Sequence, residues 1–258
     1  MHEDSIKATA QKALSLLDLT DLSDTCDAAA IDKLCAQAQT RFGNTAAICI
    51  WPRFVAQARG ILGAGHAVKI ATVVNFPSGD LAVADVLAET KQAIADGADE
   101  IDLVIPYRAF LSGNEAAVSE MVTAIKAACT PPVRLKTILE TGEIKDAALI
   151  RKASDLAIAA GSDFIKTSTG KVSVNATLPA AEIMLTAIKD SGKPAGFKPA
   201  GGVRTVADAD AYLALAASIL GADWATPQTF RFGASGLLGD ILTVLGGQSA
   251  PPPPPASY

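Results

Sequence analysis

One complete unit of the predicted fold lies in residues 146–170, DAALIRKASDLAIAAGSDFIKTSTG. From Asp146 to Ala160, apolar side chains recur at steps of three and four residues, which is typical of a helix that buries one face. Gly161 follows and ends the helix, a common role for glycine just after the last turn. The short apolar run Asp163–Thr167 comes next and leads into a polar turn, so the pattern predicts a helix, a strand and a loop.

The same alternation of strand-like and helix-like runs repeats along the chain. Val83–Asp96 is another Ala-rich run with helical spacing, closed by Gly97, and an extra helix near Ser5–Leu14 precedes the first strand. Eight such units in about 250 residues predict an α/β fold, a (β/α)8 TIM barrel with an extra N-terminal helix. The eight predicted strands are Leu16–Thr20, Thr45–Ile50, Lys69–Asn75, Glu100–Ile105, Val133–Leu139, Asp163–Thr167, Ala195–Pro199 and Phe230–Ala234.

The domain organisation follows from the lack of any linker-like stretch between these units. We predict a single catalytic domain over residues 1–245 and a flexible, proline-rich tail over residues 246–258. The tail contains five consecutive prolines, which cannot form a helix or a sheet ladder. It ends in Tyr258, whose phenol is a candidate for proton transfer if the tail reaches an active site, although an unstructured tail is the simpler interpretation.

The composition argues against several classes of protein. A net charge of −5 and a pI near 5.1 argue against a general nucleic-acid binder. No apolar run approaches the roughly 18 residues of a membrane helix, and residues 1–10, MHEDSIKATA, are polar and contain acids, unlike a signal peptide. We therefore expect a cytoplasmic protein with no nucleic-acid and no membrane partner. The sequence does not fix the oligomeric state, and a homodimer is compatible with it.

The cysteines and histidines give no sign of a disulfide framework or a metal site. The four cysteines contain no CxxC pair, which favours reduced thiols. Cys49 lies inside the second predicted strand, where a thiol is usually inert packing unless it faces an active-site cavity. The two histidines, His2 and His66, are not in a metal-ligand spacing, so we expect neither a metal nor another cofactor.

Two lysines occupy the middle of short runs that are otherwise apolar: Lys166 in DFIKTSTG and Lys198 in AGFKPAGG. The parallel strands of such a barrel are covered on both faces, so an ammonium group there is desolvated. Burial and a second nearby cation both lower the pKa of a lysine, and a neutral lysine is a nucleophile for a carbonyl carbon. The pattern therefore predicts Schiff-base chemistry. The alternative is that each lysine forms a structural ion pair with a carboxylate.

Two carboxylates also lie within apolar, strand-like runs. Asp102, in DEIDLVIP, is a candidate for proton relay beside the lysines, or for their counter-ion. Asp18, in LLDLT with Thr20 two residues on, is an equally open case, because polar residues at strand ends are common. A further strand lysine, Lys136, is expected to pair with Glu140 or Asp102.

Three glycine-rich turns follow the sixth, seventh and eighth predicted strands: STGKVS (168–173), AGGVRT (200–205) and RFGASG (231–236). Such turns expose backbone N–H groups, and phosphate sites in TIM barrels often use the loops after strands seven and eight. Lys171 and Arg204 add positive charge, so the three turns together predict a phosphate site. Each turn alone is weak support, since tight turns need glycine for conformational reasons.

With these residues assembled, the chain resembles the deoxyribose-phosphate aldolases from about Leu14 to Leu245. The resemblance implies a metal-free class I aldolase that reversibly cleaves 2-deoxy-D-ribose 5-phosphate to acetaldehyde and D-glyceraldehyde 3-phosphate. DFIKTSTGK followed by GFKPAGGVRT is the most specific combination. The motifs that carry the resemblance are LLDLT (16–20), GNTAAICIWPRF (43–54), DGADEIDLVIPYR (96–108), ILETGEIKD (138–146), DFIKTSTGK (163–171), GFKPAGGVRT (196–205) and FRFGAS (230–235).

The resemblance also implies roles for individual residues. Lys166 corresponds to the Schiff-base lysine, Lys198 to the lysine that lowers its pKa, and Asp102 to the proton-relay acid. The implied partners are a small sugar phosphate and aldehydes. The residues expected to contact the substrate are Asp18, Thr20, Cys49, Thr167, Gly170, Lys171, Gly201, Gly202, Val203, Arg204, Gly233 and Ser235.

Two positions depart from the family pattern. Gly236 stands where close relatives carry a second serine, which implies one phosphate hydroxyl fewer, and Trp51 replaces a tyrosine. The alternatives are another lysine-dependent barrel aldolase or a transaldolase-like enzyme, and a non-catalytic barrel that binds sugar phosphates. A binding module has no need of two desolvated lysines, whereas product analysis is required to separate one aldolase from another.

Overall fold

The central sheet is built from eight parallel strands within residues 3–246, the part of the chain that the computed structural model describes. All eight sequence-predicted strands are present, and their ends differ from the prediction by at most two residues. Tyr258 and the proline-rich run lie outside the described residues. The strands are β1 (Leu17–Asp21), β2 (Ala47–Ile50), β3 (Lys69–Val74), β4 (Glu100–Val104), β5 (Arg134–Ile138), β6 (Phe164–Lys166), β7 (Gly196–Lys198) and β8 (Phe232–Ala234).

The sheet closes on itself. Each strand from β1 to β6 pairs in parallel with the next one along the chain, and β8 pairs in parallel with β1. Two isolated bridges, Phe197 with Phe230 and Ala200 with Gly233, join the β7 and β8 segments. The predicted TIM-barrel fold is therefore confirmed.

Helices alternate with the strands and pack around the barrel. The predicted helix of residues 146–160 has Asp146 as its cap, since this side chain accepts a hydrogen bond from the Leu149 N–H. Within residues 3–246, none of the helices is both long and apolar enough to span a membrane. The helices are α1 (Glu3–Ser15), α2 (Ala28–Gln37), α3 (Val55–Leu62), α4 (Val83–Ala95), α5 (Tyr107–Leu111), α6 (Glu115–Ala128), α7 (Thr141–Ile144), α8 (Ala147–Ala159), α9 (Leu178–Ser191), α10 (Val206–Leu220) and α11 (Leu237–Gly246), with a 3₁₀ turn at Pro52–Phe54.

The predicted N-terminal helix is α1, which packs against α10 and α11. The sequence analysis did not find the short helices α5 and α7, nor a small antiparallel pair formed by Gln39–Thr40 and Gly43–Asn44. None of these elements exceeds five residues. Such segments are too short for hydrophobic periodicity to develop.

The two faces of the barrel sheet carry different side chains, because successive residues of a strand point to opposite faces. On β4, Ile101 and Leu103 belong to the main hydrophobic core, whereas Glu100 and Asp102 form ion pairs with side chains from other strands inside the barrel. Phe164 also lies inside. A Cβ atom on Gly196 would come within 2.5 Å of its ring, so this position of β7 requires glycine.

Candidate active site

The register of the sheet brings the two predicted lysines together. Lys166 and Lys198 are the last residues of β6 and β7, and their Cα atoms are direct partners across the two strands. Both side chains are buried and both Nζ atoms lie 2.8 Å from Oδ2 of Asp102. The three residues that the sequence predicted as catalytic therefore share one hydrogen-bonded site at the C-terminal ends of the strands, where TIM-barrel active sites lie.

The other oxygen of Asp102 holds the third strand lysine. Lys136 Nζ lies 2.9 Å from Asp102 Oδ1, because the sheet register places Lys136 beside Asp102. Of the two pairings expected for Lys136, the one with Asp102 is confirmed and the one with Glu140 is wrong. Glu140 instead accepts hydrogen bonds from the backbone N–H and the hydroxyl of Thr169. Lys136 gains a second close partner, Glu100, at 2.5 Å.

The ion pairs extend into one connected cluster, which we call the interior charge network. Asp18 Oδ2 lies 2.6 Å from Lys198 Nζ, and Asp18 Oδ1 lies 2.7 Å from Arg231 Nη1. Arg231 also holds Glu100, with Nη2 lying 2.7 Å from Oε1. Within residues 3–246, the network consists of three carboxylates and four cations, namely Asp18, Glu100, Asp102, Lys136, Lys166, Lys198 and Arg231.

The network shows which lysine has the fewest carboxylate partners. With every group ionised it carries one excess positive charge, which is costly in a buried site. Among the residues described, Lys136 contacts three carboxylates and Lys198 two, whereas Lys166 contacts Asp102 alone. The proton that is least well held is therefore the one on Lys166.

The direction of the pKa shifts agrees with this ranking. Burial lowers the pKa of Lys166, and Lys198 lowers it further, so that the opposing effect of Asp102 is outweighed. Burial also acts against a charged Lys198, but Asp102 and Asp18 together raise the pKa of Lys198 well above its ordinary value. Burial opposes ionisation of Asp102, yet the three lysines hold its pKa well below the usual range. The arrangement favours a neutral amine beside a charged one and a carboxylate.

An apolar wall completes the inner face of the barrel. Leu22, Cys49, Ala71 and Val73 form a buried cluster separate from the main core. Cys49 faces the lysines, whose charges act on its thiol, but burial raises its pKa. The thiol is therefore mostly protonated at neutral pH.

Three of the predicted substrate contacts have partners within the protein. Asp18 is fully buried and both of its oxygens are paired with cations, while the Thr20 hydroxyl donates to the Asp18 carbonyl oxygen at 2.9 Å. The Thr167 hydroxyl accepts a hydrogen bond from the Ala200 N–H at 3.0 Å, which fastens the end of β6 to the loop after β7. These three side chains therefore support the site through contacts within the protein.

The glycine-rich turns lie next to one another, but two of their glycines do not offer free N–H groups. Gly201 donates to the Gly233 carbonyl oxygen at 3.2 Å, and Gly233 donates to the Pro199 carbonyl oxygen at 2.9 Å. Both N–H groups are used to close the barrel between β7 and β8. The expectation that Gly201 and Gly233 contact the substrate stays a prediction. Gly201 and Gly202 still have left-handed φ angles of 77° and 87°, which form the turn.

The remaining turn residues lie nearer the solvent. Gly202, Arg204 and Ser235 are exposed, and Gly170 and Lys171 are half-buried. Val203 is buried beneath the turn. Lys171 Nζ lies 3.5 Å from Asp24 Oδ1 and 5.8 Å from the centroid of the Trp51 ring. The cationic and donor groups of the turns therefore border the same end of the barrel as Lys166.

This geometry can be compared with known proteins. The family model described as DeoC/LacD family aldolase matches residues 12–238. The chain belongs to the DeoC/LacD aldolase family. A curated relative, the deoxyribose-phosphate aldolase of Agrobacterium fabrum, is 66% identical over 241 residues, which cover 93% of each chain.

Solved structures show the same fold. A candidate deoxyribose-phosphate aldolase from Toxoplasma gondii superposes with a TM-score of 0.87 at 22% identity, covering 96% of this chain and 98% of that one. The deoxyribose phosphate aldolase of Aeropyrum pernix, described as a unique tetramer, gives a TM-score of 0.75 at 22% identity, with 93% and 97% covered. At these identities the likeness concerns the barrel itself.

In this DeoC/LacD aldolase, sequence reasoning did not single out Glu100 and Arg231. Glu100 lies between two aspartates in ADEID (98–102), and Arg231 begins the glycine-rich turn RFGASG (231–236), so both resemble surface residues. Their burial, at 2% and 4% exposure, follows only from the closed barrel. Ser168 was also not selected. It is buried, and its hydroxyl has no hydrogen-bond partner among residues 3–246.

Proposed function

We propose that this aldolase reversibly cleaves 2-deoxy-D-ribose 5-phosphate to acetaldehyde and D-glyceraldehyde 3-phosphate through a Schiff base on Lys166. The observation that carries the proposal is the pairing of Lys166 with Lys198 on one carboxylate, Asp102. Two buried amines that share one acid favour a neutral nucleophile, which is what imine formation requires. The 66% identical relative named deoxyribose-phosphate aldolase supports the choice of substrate.

The first half of the reaction forms an electron sink. The neutral Nζ of Lys166 attacks C1 of the open-chain sugar, and loss of water leaves a protonated imine between C1 and Nζ. Lys198 remains protonated and stabilises the oxygen that leaves as water. Asp102, which contacts both amines, moves protons between them and the substrate directly or through water.

The second half breaks the C2–C3 bond. The proton of the 3-hydroxyl passes to Asp102 through water, the C3–O bond becomes a carbonyl, and the C2–C3 electron pair moves into the iminium to form an enamine. D-glyceraldehyde 3-phosphate leaves. The enamine is then protonated at C2, and water hydrolyses the resulting imine, so that acetaldehyde and free Lys166 are regenerated.

The phosphate is proposed to bind at the turns after β6, β7 and β8. Gly202 and Val203 offer backbone N–H groups at one side. Arg204 adds its guanidinium there, while its own N–H donates to Asp208 Oδ2 at 3.0 Å. Ser235 and the start of α11 lie at the other side, and Gly170 and Lys171 complete the site. Helix starts and exposed N–H groups favour anions. The roles of Gly201 and Gly233 are proposed to be conformational, since their N–H groups are bonded within the barrel.

The wider setting is proposed from the same observations. We infer a cytoplasmic enzyme with one catalytic domain over residues 1–245, in agreement with four buried free cysteines. A homodimer and a proton-transfer role for Tyr258 remain proposals that the assembly state and a Tyr258 deletion would test.

Reductive trapping tests the covalent step. Acetaldehyde with cyanoborohydride should add one ethyl group at Lys166, because reduction makes the imine permanent. Peptide mass mapping identifies the site, and exposed Lys152 serves as the internal control for nonspecific labelling. Labelling of Lys152 with Lys166 unmodified would disprove the Schiff-base assignment. Product analysis with 2-deoxyribose 5-phosphate then separates this reaction from that of a transaldolase-like enzyme.

A gain of function tests the phosphate site. Gly236 has no atom within 4 Å of the position a Cβ would occupy, so a serine fits there without strain. Gly236→Ser is expected to lower KM for the phosphorylated sugar about threefold or more, as one added hydrogen bond to a charged group would, and to leave KM for deoxyribose unchanged. Gly239→Ser, which also has open space, is the matched control. An equal change in KM for both sugars would show that the phosphate does not bind beside residue 236.

A further inference from the structure

Glu100 and Arg231 form the floor of the interior charge network. Glu100 is the first residue of β4, at the opposite end of the barrel from Lys166. The guanidinium of Arg231 grips the Glu100 carboxylate at 2.7 and 3.1 Å, a two-point contact, and reaches Asp18 at 2.7 Å. Its Nε donates to the Pro227 carbonyl oxygen at 2.5 Å. The guanidinium is thus fixed from three sides.

The floor is connected to the reacting amine through a chain of direct contacts. Glu100 Oε2 holds Lys136 at 2.5 Å, and Lys136 holds Asp102 Oδ1 at 2.9 Å. This contact orients the carboxylate so that Oδ2 lies 2.8 Å from Lys166 Nζ. A displacement of Lys136 would therefore rotate Asp102 away from the lysine that it serves.

The floor also sets the charge balance. Removing Glu100 leaves two carboxylates for four cations, and removing Arg231 leaves three for three, counting the residues of the interior charge network. The groups that face Lys166 directly are Cys49 from β2, Asp102 from β4, Glu140 after β5, and Lys198 from β7. Neither Glu100 nor Arg231 touches Lys166, so each acts on it only through charge and through Lys136 and Asp102.

We propose that Glu100 and Arg231 are positioning residues of the aldolase: they fix Lys136 and Asp102 and maintain the single excess positive charge that makes Lys166 give up its proton. This inference rests on the proposed function, because it assumes that neutral Lys166 is the nucleophile. It assigns a catalytic consequence to two residues at the far end of the barrel from the substrate.

A purely structural ion pair would behave differently. A structural pair loses stability when either partner is replaced, and both single variants would then affect the enzyme in the same way. The charge-balance role requires opposite effects. Loss of a negative charge favours a neutral Lys166, whereas loss of a positive charge favours a protonated one.

The test is the pH dependence of reductive trapping at Lys166 with acetaldehyde and cyanoborohydride, measured on the full chain. Glu100→Gln is expected to shift the rising limb of the profile to lower pH, and Arg231→Met to shift it to higher pH, each by about one pH unit. The Glu100→Gln/Arg231→Met double variant restores one excess charge and should return the profile to that of the unaltered enzyme.

Arg231→Lys is the matched control. It loses the two-point contact but keeps the charge, so its profile should stay in place even if its turnover falls. Should Arg231→Met fail to fold, Glu100→Gln and Arg231→Lys still test the proposal. Shifts of both single variants in one direction, a shift in Arg231→Lys equal to that in Arg231→Met, or an unmoved Glu100→Gln profile would each overturn it. If the unaltered enzyme is not labelled at Lys166, the proposed function fails first.

Discussion

The outer face of strand β4 carries apolar side chains, whereas its inner face carries charged ones. Ile101 and Leu103 point outward into the main core, while Glu100 and Asp102 point inward into the interior charge network. The outer face stabilises the fold, since burying an aliphatic side chain contributes about 1.5–3 kcal/mol. The inner face contributes little net stability, because the desolvation of buried ions offsets most of their attraction.

The contrast teaches that stability and reactivity are separated across one sheet. The outward residues can vary in shape without changing the charge that Lys166 experiences. With every group ionised the inward residues carry one excess positive charge, and we propose that loss of the Lys166 proton relieves it and leaves a nucleophilic amine. The two faces should therefore respond to mutation in opposite ways, which the following variants test.

Lys166→Met should give the largest effect. Loss of the nucleophile is expected to lower kcat by at least about 10⁴-fold. The same change removes the excess charge and leaves three carboxylates with three cations, so the thermal midpoint should stay unchanged or rise. An aldol cleavage assay measures kcat, and thermal unfolding of the same preparation measures the midpoint. A large fall in the midpoint would contradict the separation of the two faces.

Ile101→Ala should show the reverse behaviour. This side chain is fully buried on the outer face, and its truncation is expected to cost about 2–5 kcal/mol of unfolding free energy. Denaturant unfolding measures the loss. At temperatures where the variant is folded, the pH profile of kcat/KM should coincide with that of the unaltered enzyme. A displaced profile would mean that the outer face also influences Lys166. Ile101→Val, expected to cost about 0.5–1.5 kcal/mol, is the graded control.

Lys198→Leu sharpens the comparison within the inner face. Lys198 lowers the pKa of Lys166, and its removal also leaves Asp102 to fewer cations. Both changes raise the pKa of Lys166, so the rising limb of the kcat/KM profile should move to higher pH by about one unit or more. Each pH unit of this shift should lower kcat/KM at neutral pH roughly tenfold. A profile that keeps its position would show that the two amines are not coupled.

Cys49→Ala should give the smallest effect. The thiol faces the lysines, but burial raises its pKa, so it is protonated at neutral pH and supplies no charge. We expect kcat to change by less than about threefold, as for replacement of a small apolar side chain. Steady-state kinetics of the variant measures the change in kcat. Iodoacetamide labelling of the unaltered enzyme tests whether the Cys49 thiol is protonated. Rapid alkylation of Cys49 at pH 7 would indicate a thiolate and give the apolar wall a chemical role.

The sequence alone determined the barrel and the residues that its strands carry. Helical spacing that ends in glycine, followed by short apolar runs, predicted all eight strands, because these signals are local in the chain. Lys166, Lys198 and Asp102 could be selected for the same reason: an ionisable residue inside an apolar run is conspicuous without knowledge of its neighbours. The tertiary structure brings these three together, as predicted.

Only the tertiary structure decided how the charges are balanced. Glu100 and Arg231 are 131 residues apart, and their contact exists because the closed barrel brings the β4 and β8 segments to face each other across its interior. The same closure engages the N–H groups of Gly201 and Gly233, which the sequence had suggested for phosphate. Charge balance and hydrogen-bond saturation depend on all neighbours in space, so no local pattern in the chain can specify them.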